Sequence, residues 1–173
     1  DLAFKYRNPV MILSDGVIGQ MMEKVVLADQ RPRRTAEEII AQDGDWALTG
    51  KTADRKEHVI TSLELDPYAQ ERFNEKLIAK YAKIRENEVR YEEFMTEDAD
   101  YIIVAFGSAA RICRMTVEMA REAGYKVGLV RPITLYPFPS KVLHDLAARG
   151  VKGFLSAELN HGQMVEDVRL AVN

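Results

Sequence analysis

The residues best placed to do chemistry are Ser108, Arg131 and Glu158, because each stands at the end of an apolar run that is typical of a buried strand. The runs are "DYIIVAFG", "YKVGLV" and "VKGFLSAEL". In a parallel α/β sheet, ligand-facing groups collect beyond the carboxyl ends of the strands. We therefore expect these three side chains to lie along one edge of a sheet, although they are far apart in sequence.

Two of these residues can hold an anion. The guanidinium of Arg131 can bind a carboxylate or phosphate in two-point fashion, and Pro132 keeps it clear of a following helix. Ser108 follows Gly107, where backbone amides at a helix start can face an anion. The simpler interpretations, which we favour, are that Ser108 caps its helix and that Arg131 pairs with Glu158 or with a partner subunit's carboxylate. Ser108 and Arg131 are nonetheless the candidates for cofactor binding.

The segment "RPITLYPFP" holds three of the six prolines of the chain. Proline fixes φ and biases the preceding residue toward extended geometry, so the segment is predicted to be a stiff arm. It would carry Tyr136 and Phe138 across the sheet edge. Rigid aromatic side chains are frequent anchors of subunit contacts, which makes Tyr136 and Phe138 interface candidates.

The segment "ELNHGQ" offers a carboxylate, two amides and an imidazole within six residues. His161 is considered as a general base, but no serine or cysteine nucleophile accompanies it and no third group orients it. Asn160 and Gly162 are predicted to form the turn into the last helix. We assign no catalytic residue, and we expect Glu158, Asn160 and Gln163 to contribute to a subunit interface.

A metal site is not expected. The chain has one cysteine, Cys113, which cannot supply the four thiolates that an iron–sulfur cluster usually needs. His58, His144 and His161 are far apart and form no spaced pair of ligands. Cys113 is predicted to be a small core residue on the same helix face as three apolar neighbours and one threonine, namely Ala109, Ile112, Thr116 and Met119.

The composition of the 173-residue chain is that of a globular protein, with 47% hydrophobic and 29% charged residues. The net charge of −3 provides no basic field for nucleic acid. No apolar run approaches the about 18 to 20 residues of a membrane span, and the first residues lack the layout of a signal peptide. These features predict a cytoplasmic protein.

Three regions follow from the pattern of elements. Residues 98–173 alternate strand and helix, which predicts an α/β domain with a parallel sheet and flanking helices. The last predicted element is a helix with no following strand, so we expect this domain to be cut short. Residues 29–97 are predicted to be a linker with a short strand, "HVITSLEL", and a long amphipathic helix starting at Asp66-Pro67. Residues 1–28 are predicted to be the last strand, "PVMIL", and helix of another domain, whose earlier strands lie outside this sequence.

Several motifs in fixed order resemble the alpha subunit of 2-oxoacid:ferredoxin oxidoreductases, and among these the 2-ketoisovalerate type. They are "NPVMILSDGVIGQMMEKV", "ENEVRYEEFMTEDADYIIVAFGSAARI", "VGLVRPITLYPFP" and "ELNHGQMVEDVRLAV". The resemblance implies a domain like the C-terminal domain of transketolase, preceded by the tail of a pyrimidine-binding domain. It also implies an enzyme that uses thiamine diphosphate, Mg²⁺ and a [4Fe-4S] cluster to oxidise a 2-oxoacid to an acyl-coenzyme A and to pass electrons to ferredoxin.

The same resemblance implies an oligomeric complex with beta and gamma subunits, in which the beta subunit holds the diphosphate and a cluster. The family's carboxylate that activates thiamine lies upstream of these residues, so we expect this fragment alone to bind no cofactor and to be inactive. Two alternatives stay open. One is another thiamine enzyme, such as a transketolase or the beta chain of a 2-oxoacid dehydrogenase, and the other is a non-catalytic Rossmann-like domain.

Overall fold

A computed structural model describes residues 1–48, 50–51 and 53–173. These form two compact units, one of residues 1–21 and 76–173 and the other of residues 22–75. The helices are Leu2–Tyr6 (α1), Gly16–Gln20 (α2), Ala36–Asp43 (α3), Pro67–Asn87 (α4), Gly107–Glu122 (α5), Ser140–Ala148 (α6) and Met164–Val172 (α7). The strands are Tyr91–Phe94 (β1), Tyr101–Ala105 (β2), Val127–Pro132 (β3) and Gly153–Ala157 (β4).

The sheet has the order β1-β3-β2-β4. Strand β2 pairs in parallel with β3 on one side and with β4 on the other, whereas β1 is antiparallel to β3. Parallel neighbours require helical crossovers, and α5 and α6 supply them. The predicted α/β architecture of residues 98–173 is therefore confirmed.

Strand β2 is buried on both faces and divides the core in two. Ile102 and Val104 pack with α6 and α7 in one cluster, while Ile103 and Ala105 pack with α5 in the other. Side chains alternate across a strand, so a continuous apolar run such as "YIIVA" requires a cover on each face. This explains why the run forms the centre of the sheet and not its edge.

Strand β1, which lies before residues 98–173, adds an antiparallel edge strand to the predicted parallel sheet. Residues Tyr91, Glu92 and Glu93 of β1 are exposed and only Phe94 is partly buried. An edge strand with one covered face needs no apolar run, so its sequence, "YEEF", carries little strand signal. Helix α4 ends at Asn87, so Tyr91 lies beyond it, at the start of this strand.

Residues 10–13 do not form the predicted strand. Val10, Met11, Ile12 and Leu13 are 54% to 92% exposed, and the following helix is limited to Gly16–Gln20. A strand is stable only when neighbouring strands take its backbone hydrogen bonds, and none in the described residues lies beside this run. The assignment of residues 1–28 to a pyrimidine-binding domain stays a prediction.

In the unit of residues 22–75, helix α3 is fixed at its start by a capping box between Thr35 and Glu38. The predicted strand "HVITSLEL" is not formed, and Val59, Ile60, Leu63 and Leu65 are exposed. Helix α4 begins at Pro67 as expected, and the Asp66 carboxylate accepts a hydrogen bond of 3.0 Å from the Tyr68 amide. No helix in the described ranges is long and apolar enough to span a membrane.

The buried face of α5 differs from the predicted one. Cys113 and Ala109 are buried as expected, but their companions are Ala110 and Val117. The i, i+4 row 109–113–117 faces the sheet, so Ile112, Thr116 and Met119 lie around the helix and are exposed. Burial raises the pKa of the Cys113 thiol, as expected for a residue that serves the core.

Leu143 should be a main determinant of stability, because it is fully buried between α6 and the sheet. Leu143→Ala removes its contacts and leaves a cavity, so the free energy of unfolding should fall by about 2 to 5 kcal/mol. Leu170→Ala is the matched control, since Leu170 is 79% exposed and its loss should cost less than about 0.5 kcal/mol. Urea denaturation followed by circular dichroism measures both, and equal effects would contradict the assigned core.

Candidate functional site

The carboxyl ends of β2, β3 and β4 lie along one edge of the sheet, because the three strands are parallel. Ser108 follows β2 in the first turn of α5, Arg131 is the penultimate residue of β3, and Glu158 directly follows β4. The predicted common edge is therefore confirmed. The contacts of these side chains differ from the expected ones.

Ser108 is engaged by a carboxylate of the same chain. Its hydroxyl donates a hydrogen bond of 2.6 Å to Asp15 Oδ2, while Asp15 Oδ1 accepts one of 2.8 Å from the Ile18 amide. The Ser108 hydroxyl, followed by the Ile18 amide, lowers the pKa of Asp15. Ser108 is not the helix cap, because α5 already begins at Gly107 and the capping position is Phe106.

Arg131 pairs with Glu92 at 2.9 Å and not with Glu158. The reason is the strand order, since β1 lies beside β3 and places Glu92 directly across from Arg131. Glu158 follows β4, which β2 separates from β3. Both members of the ion pair are about half exposed, with 45% for Arg131 and 54% for Glu92, so water weakens their attraction.

Arg131 also lines a cavity of about 230 Å³, which we call the arginine pocket. The pocket lies on the α5 face of the sheet, beside the edge strand β1 and its neighbour β3. Two further arginines from α5 reach it, and the guanidinium of Arg114 lies 4.0 Å from the centroid of the Phe94 ring. The lining residues are Ile18, Glu92, Phe94, Gly107, Ala110, Arg111, Arg114, Leu129 and Arg131.

Sequence reasoning missed Arg111 and Arg114. These arginines do not stand at the end of a strand. They lie within a helix at a spacing of three, which puts both on one side of α5. Their position beside β1 depends on a strand that was not predicted. The i, i+3 spacing was the one signal present in the sequence.

The proline segment carries one exposed and one partly buried aromatic ring. Tyr136 is 61% exposed and makes an edge-to-face contact with Tyr81, with ring centroids 6.2 Å apart. Phe138 packs against the core cluster, so its ring stabilises the domain. The Tyr136-Pro137 bond is cis, and the Thr134 hydroxyl donates 2.8 Å to the Pro137 carbonyl. Interface roles for Tyr136 and Phe138 stay predictions.

The predicted turn into α7 is confirmed. Asn160 Oδ1 accepts hydrogen bonds from the amides of Gly162 at 2.9 Å and Gln163 at 3.2 Å, which is a side-chain-closed turn. Gly162 has φ +93°, a left-handed conformation that favours glycine. The Gln163 side chain is exposed at the start of α7, as is His161 beside it. Interface roles of Asn160 and Gln163 stay predictions.

Glu158 binds the start of α7. Its carboxylate accepts hydrogen bonds from the Met164 amide at 2.9 Å and from the Val165 amide and the Ser156 hydroxyl, both at 3.0 Å. Burial alone would raise the pKa of Glu158, but the hydrogen bonds from Met164, Ser156, Asn160 and Val165 together lower it. The carboxylate thus satisfies free amides of the helix terminus, which makes it a structural contact within the chain.

The described residues show no cluster suited to the metal that the resemblance implies. No group of three or more histidine, cysteine, aspartate or glutamate side chains in them is arranged to hold a metal ion. Cys113, buried in the α5 core cluster, is remote from such a role. We therefore derive no catalytic step through thiamine diphosphate or an iron–sulfur cluster on this chain.

Residues 99–173 match the family described as pyruvate:ferredoxin oxidoreductase core domain II. This range begins just before β2 and ends with α7, so it corresponds to the parallel part of the sheet and its helices. The fold and the matched range define a core domain of 2-oxoacid:ferredoxin oxidoreductases.

Comparison with whole proteins gives the same result over nearly the whole chain. The ketoisovalerate oxidoreductase subunit VorB of Methanothermobacter thermautotrophicus is 47% identical over 99% of this chain and 46% of its own length. The 2-oxoglutarate synthase subunit KorA of Methanothermobacter marburgensis is 27% identical over 98% of this chain and 50% of its own length. The chain is thus similar over nearly its whole length to subunits of 2-oxoacid:ferredoxin oxidoreductases, and it spans about half the length of these relatives.

A solved structure shows the same fold. It is the 2-oxoglutarate:ferredoxin oxidoreductase from Magnetococcus marinus with 2-oxoglutarate, coenzyme A and succinyl-CoA bound. The similarity has a TM-score of 0.52 at 24% identity and covers 64% of this chain and 19% of that one. At this identity the likeness concerns the fold alone.

Glu158→Gln should destabilise the chain at neutral pH by about 1 kcal/mol, because the charged cap of α7 is lost. A carboxylate with a lowered pKa stabilises the fold above its ordinary pKa of about 4.3 and loses this effect as the pH falls through its folded value. The difference from the parent should therefore persist down to about pH 4.3 and close below it. Urea denaturation at several pH values measures this.

The control for this variant is Glu166→Gln, which removes an equal charge from the exposed first turn of α7, where Glu166 pairs with Arg169. Its effect should be smaller at every pH. A Glu158→Gln effect that stays constant to pH 3 would show that the charge of Glu158 does not matter.

Proposed function

We propose that this chain is part of the alpha-type subunit of a thiamine diphosphate-dependent 2-oxoacid:ferredoxin oxidoreductase that acts on a branched-chain 2-oxoacid, 2-ketoisovalerate, and produces an acyl-coenzyme A. The supporting observation is the difference in identity between relatives. It is 47% with a ketoisovalerate oxidoreductase subunit and 27% with a 2-oxoglutarate synthase subunit, over nearly the same residues.

Within that enzyme, this part of the subunit serves as scaffold and subunit interface. Its described residues form a well-packed sheet without a metal-binding cluster. In the complex, thiamine diphosphate, Mg²⁺ and the [4Fe-4S] cluster are held outside this chain, and the partners are beta and gamma subunits, ferredoxin, coenzyme A and the 2-oxoacid. The complex is an oligomer in the cytoplasm.

The interface includes Tyr136 and the turn that contains Asn160 and Gln163. Apolar side chains stand exposed next to this turn, with Leu155 on β4 at 61% and Leu159 at 76%. Strand β4 is the last strand on its side of the sheet in the described residues. An exposed edge strand with apolar neighbours is a surface that proteins usually cover.

The exposed run of residues 10–13 belongs to a second interface in this proposal. Four consecutive apolar side chains without a covering layer fit a strand that completes its sheet with further strands of a pyrimidine-binding domain. Asp15, two residues after the run, anchors it to Ser108 at the start of α5. Ser108 thereby acts as a positioning contact, while Arg131 is the better candidate for contact with a cofactor phosphate.

The proposal predicts an enzyme activity that requires the whole complex. The complete alpha-type polypeptide that contains this sequence should be co-expressed with its beta and gamma subunits. The purified complex should reduce methyl viologen with 2-ketoisovalerate and coenzyme A, and kcat/KM should be higher for 2-ketoisovalerate than for 2-oxoglutarate. The 173-residue chain alone should show no turnover.

Omission of coenzyme A or of thiamine diphosphate is the control, and either should abolish the reaction. Absence of activity with any 2-oxoacid, in an assembled complex with its cluster and thiamine diphosphate, would refute the proposed reaction. A higher kcat/KM with 2-oxoglutarate would refute only the proposed substrate.

Tyr136→Ala should weaken subunit association by about tenfold or more, because a large exposed aromatic ring on a rigid segment is a typical anchor. Analytical ultracentrifugation of the co-expressed complex measures the association. Tyr125→Ala is the control, since Tyr125 is 65% exposed but precedes β3 at the opposite edge of the sheet. Unchanged assembly with Tyr136→Ala would remove Tyr136 from the interface.

A further inference from the structure

We propose that the arginine pocket is a binding site for a small organic oxyanion, a carboxylate or phosphate group on a compact apolar body. Arg114 and Arg131 bind the charged group, and the apolar floor of the pocket holds the body. The inference concerns a cavity of this chain and does not depend on the reaction proposed above.

The pocket exists because α5 covers only part of its sheet face. The helix packs over β2 and β3, through Ala109, Cys113 and Val117. Strand β1 extends the sheet beyond the helix, and its pairing places Glu92 across from Arg131 and Phe94 across from Leu129. Antiparallel partners project to the same face, so these four side chains form a trough beside α5. Ile18 of α2 is also part of its lining.

The floor of the trough is apolar. Ala110 and Leu129 are buried, and Phe94 is partly buried against the α5 core cluster. A ligand with an exposed apolar group gains free energy by covering this surface, at about 25 cal/mol per Å² of apolar area removed from water. An ion without an apolar group would leave this apolar surface in contact with water.

The rim of the trough is positively charged. Arg114 and Arg131 contribute two positive charges, against one negative charge from Glu92. Arg111 has contacts of its own, among them one with the Met21 sulfur at 4.0 Å, and Asp15 lies at the adjacent start of α5, bound to Ser108. An anion at this partly enclosed, apolar surface is attracted by the guanidinium groups of both Arg114 and Arg131. Planar guanidinium groups also match carboxylate and phosphate oxygens in two-point geometry.

The contacts of the arginines leave room for such a ligand. The guanidinium carbon of Arg114 lies over the Phe94 ring, 4.0 Å from its centroid, and a cation–π contact of this kind leaves the N–H groups able to donate to a ligand. Arg131 is held by Glu92 in a half-exposed pair, and a ligand oxyanion can replace this partner at small cost. Glu92 is therefore a competitor for the ligand.

The volume limits the size of the ligand. Sites for drug-sized molecules occupy roughly 300 to 1,000 Å³, and this cavity has about 230 Å³. It accommodates one charged group and a body of a few carbon atoms or a single ring. A whole nucleotide is too large to be enclosed.

Two-dimensional ¹H–¹⁵N NMR titration of the full chain tests the proposal with four probes. Phenyl phosphate and phenylacetate combine an oxyanion with a ring, inorganic phosphate supplies the oxyanion alone, and benzyl alcohol supplies the ring without charge. Both ring-bearing anions should bind at millimolar concentration or below, with shifts at the amides of Phe94, Ala110 and Leu129. The two single-feature probes should bind at least about tenfold more weakly, and added salt should weaken anion binding.

Four variants test the assigned residues. Arg114→Ala should weaken binding of the better anion by about tenfold, as the loss of a charged hydrogen-bonding group does. Glu92→Gln should strengthen it by about threefold, because the competitor of Arg131 is neutralised. Arg169→Ala removes an equal charge from α7, which packs on the other face of the sheet, and should leave binding unchanged. Arg131→Gln is the second pocket variant, to be used if Arg114→Ala alters the fold.

Phenyl phosphate binding more tightly than phenylacetate would identify the natural charged group as a phosphate, and the reverse would identify a carboxylate. The proposal is overturned if none of the anions shifts the pocket amides, or if benzyl alcohol binds as well as the anions. It is also overturned if Arg114→Ala and Arg131→Gln both keep the parental affinity.

Discussion

The burial of β2 on both faces is the constraint on which the rest of the structure depends. Ile102 and Val104 face α6 and α7, whereas Ile103 and Ala105 face α5, and each fully buried aliphatic side chain contributes about 1.5 to 3 kcal/mol. Because β2 needs a cover on both faces, its crossover helices lie on opposite sides of the sheet. Its two parallel neighbours then bring three strand ends to one edge, where the predicted site residues are found.

Elements that depend on local hydrophobic periodicity were predictable from the sequence, whereas elements that depend on which strands pair with each other were not. From residue 98 onward, apolar runs and capping signals follow one another, and each of the predicted elements is present. Residues 10–13 and "HVITSLEL" have the composition of strands, but no strand among the residues that the structure describes lies beside them, so they form no strand and their apolar side chains are exposed. Strand β1 is the opposite case, since it has a neighbour but a sequence with almost no strand signal.

The same distinction applies to the site. The turn closed by Asn160 was predictable, because its hydrogen bonds join residues two and three positions apart. The partner of Arg131 was not, since it depends on a strand order in which Glu92, 39 positions away, becomes the direct neighbour. Arg111 and Arg114 were missed for the same reason, because a helix surface becomes the wall of a cavity only when β1 extends the sheet beyond it.

The hydrogen-bond partners separate the structural polar groups from those available for binding. Glu158 and Asn160 direct their oxygens to backbone amides at the start of α7, and a ligand or subunit that took these oxygens would have to undo the helix start. Arg131 has a half-exposed carboxylate as its partner, which another anion can replace without breaking any backbone contact. The charged groups on this sheet edge thus differ in the free energy that is lost when each gives up its present partner. Arg131 gives up its partner at the lowest cost, so binding should be tested there first. The contacts of Glu158 within the chain support the start of α7, and its interface role stays a prediction.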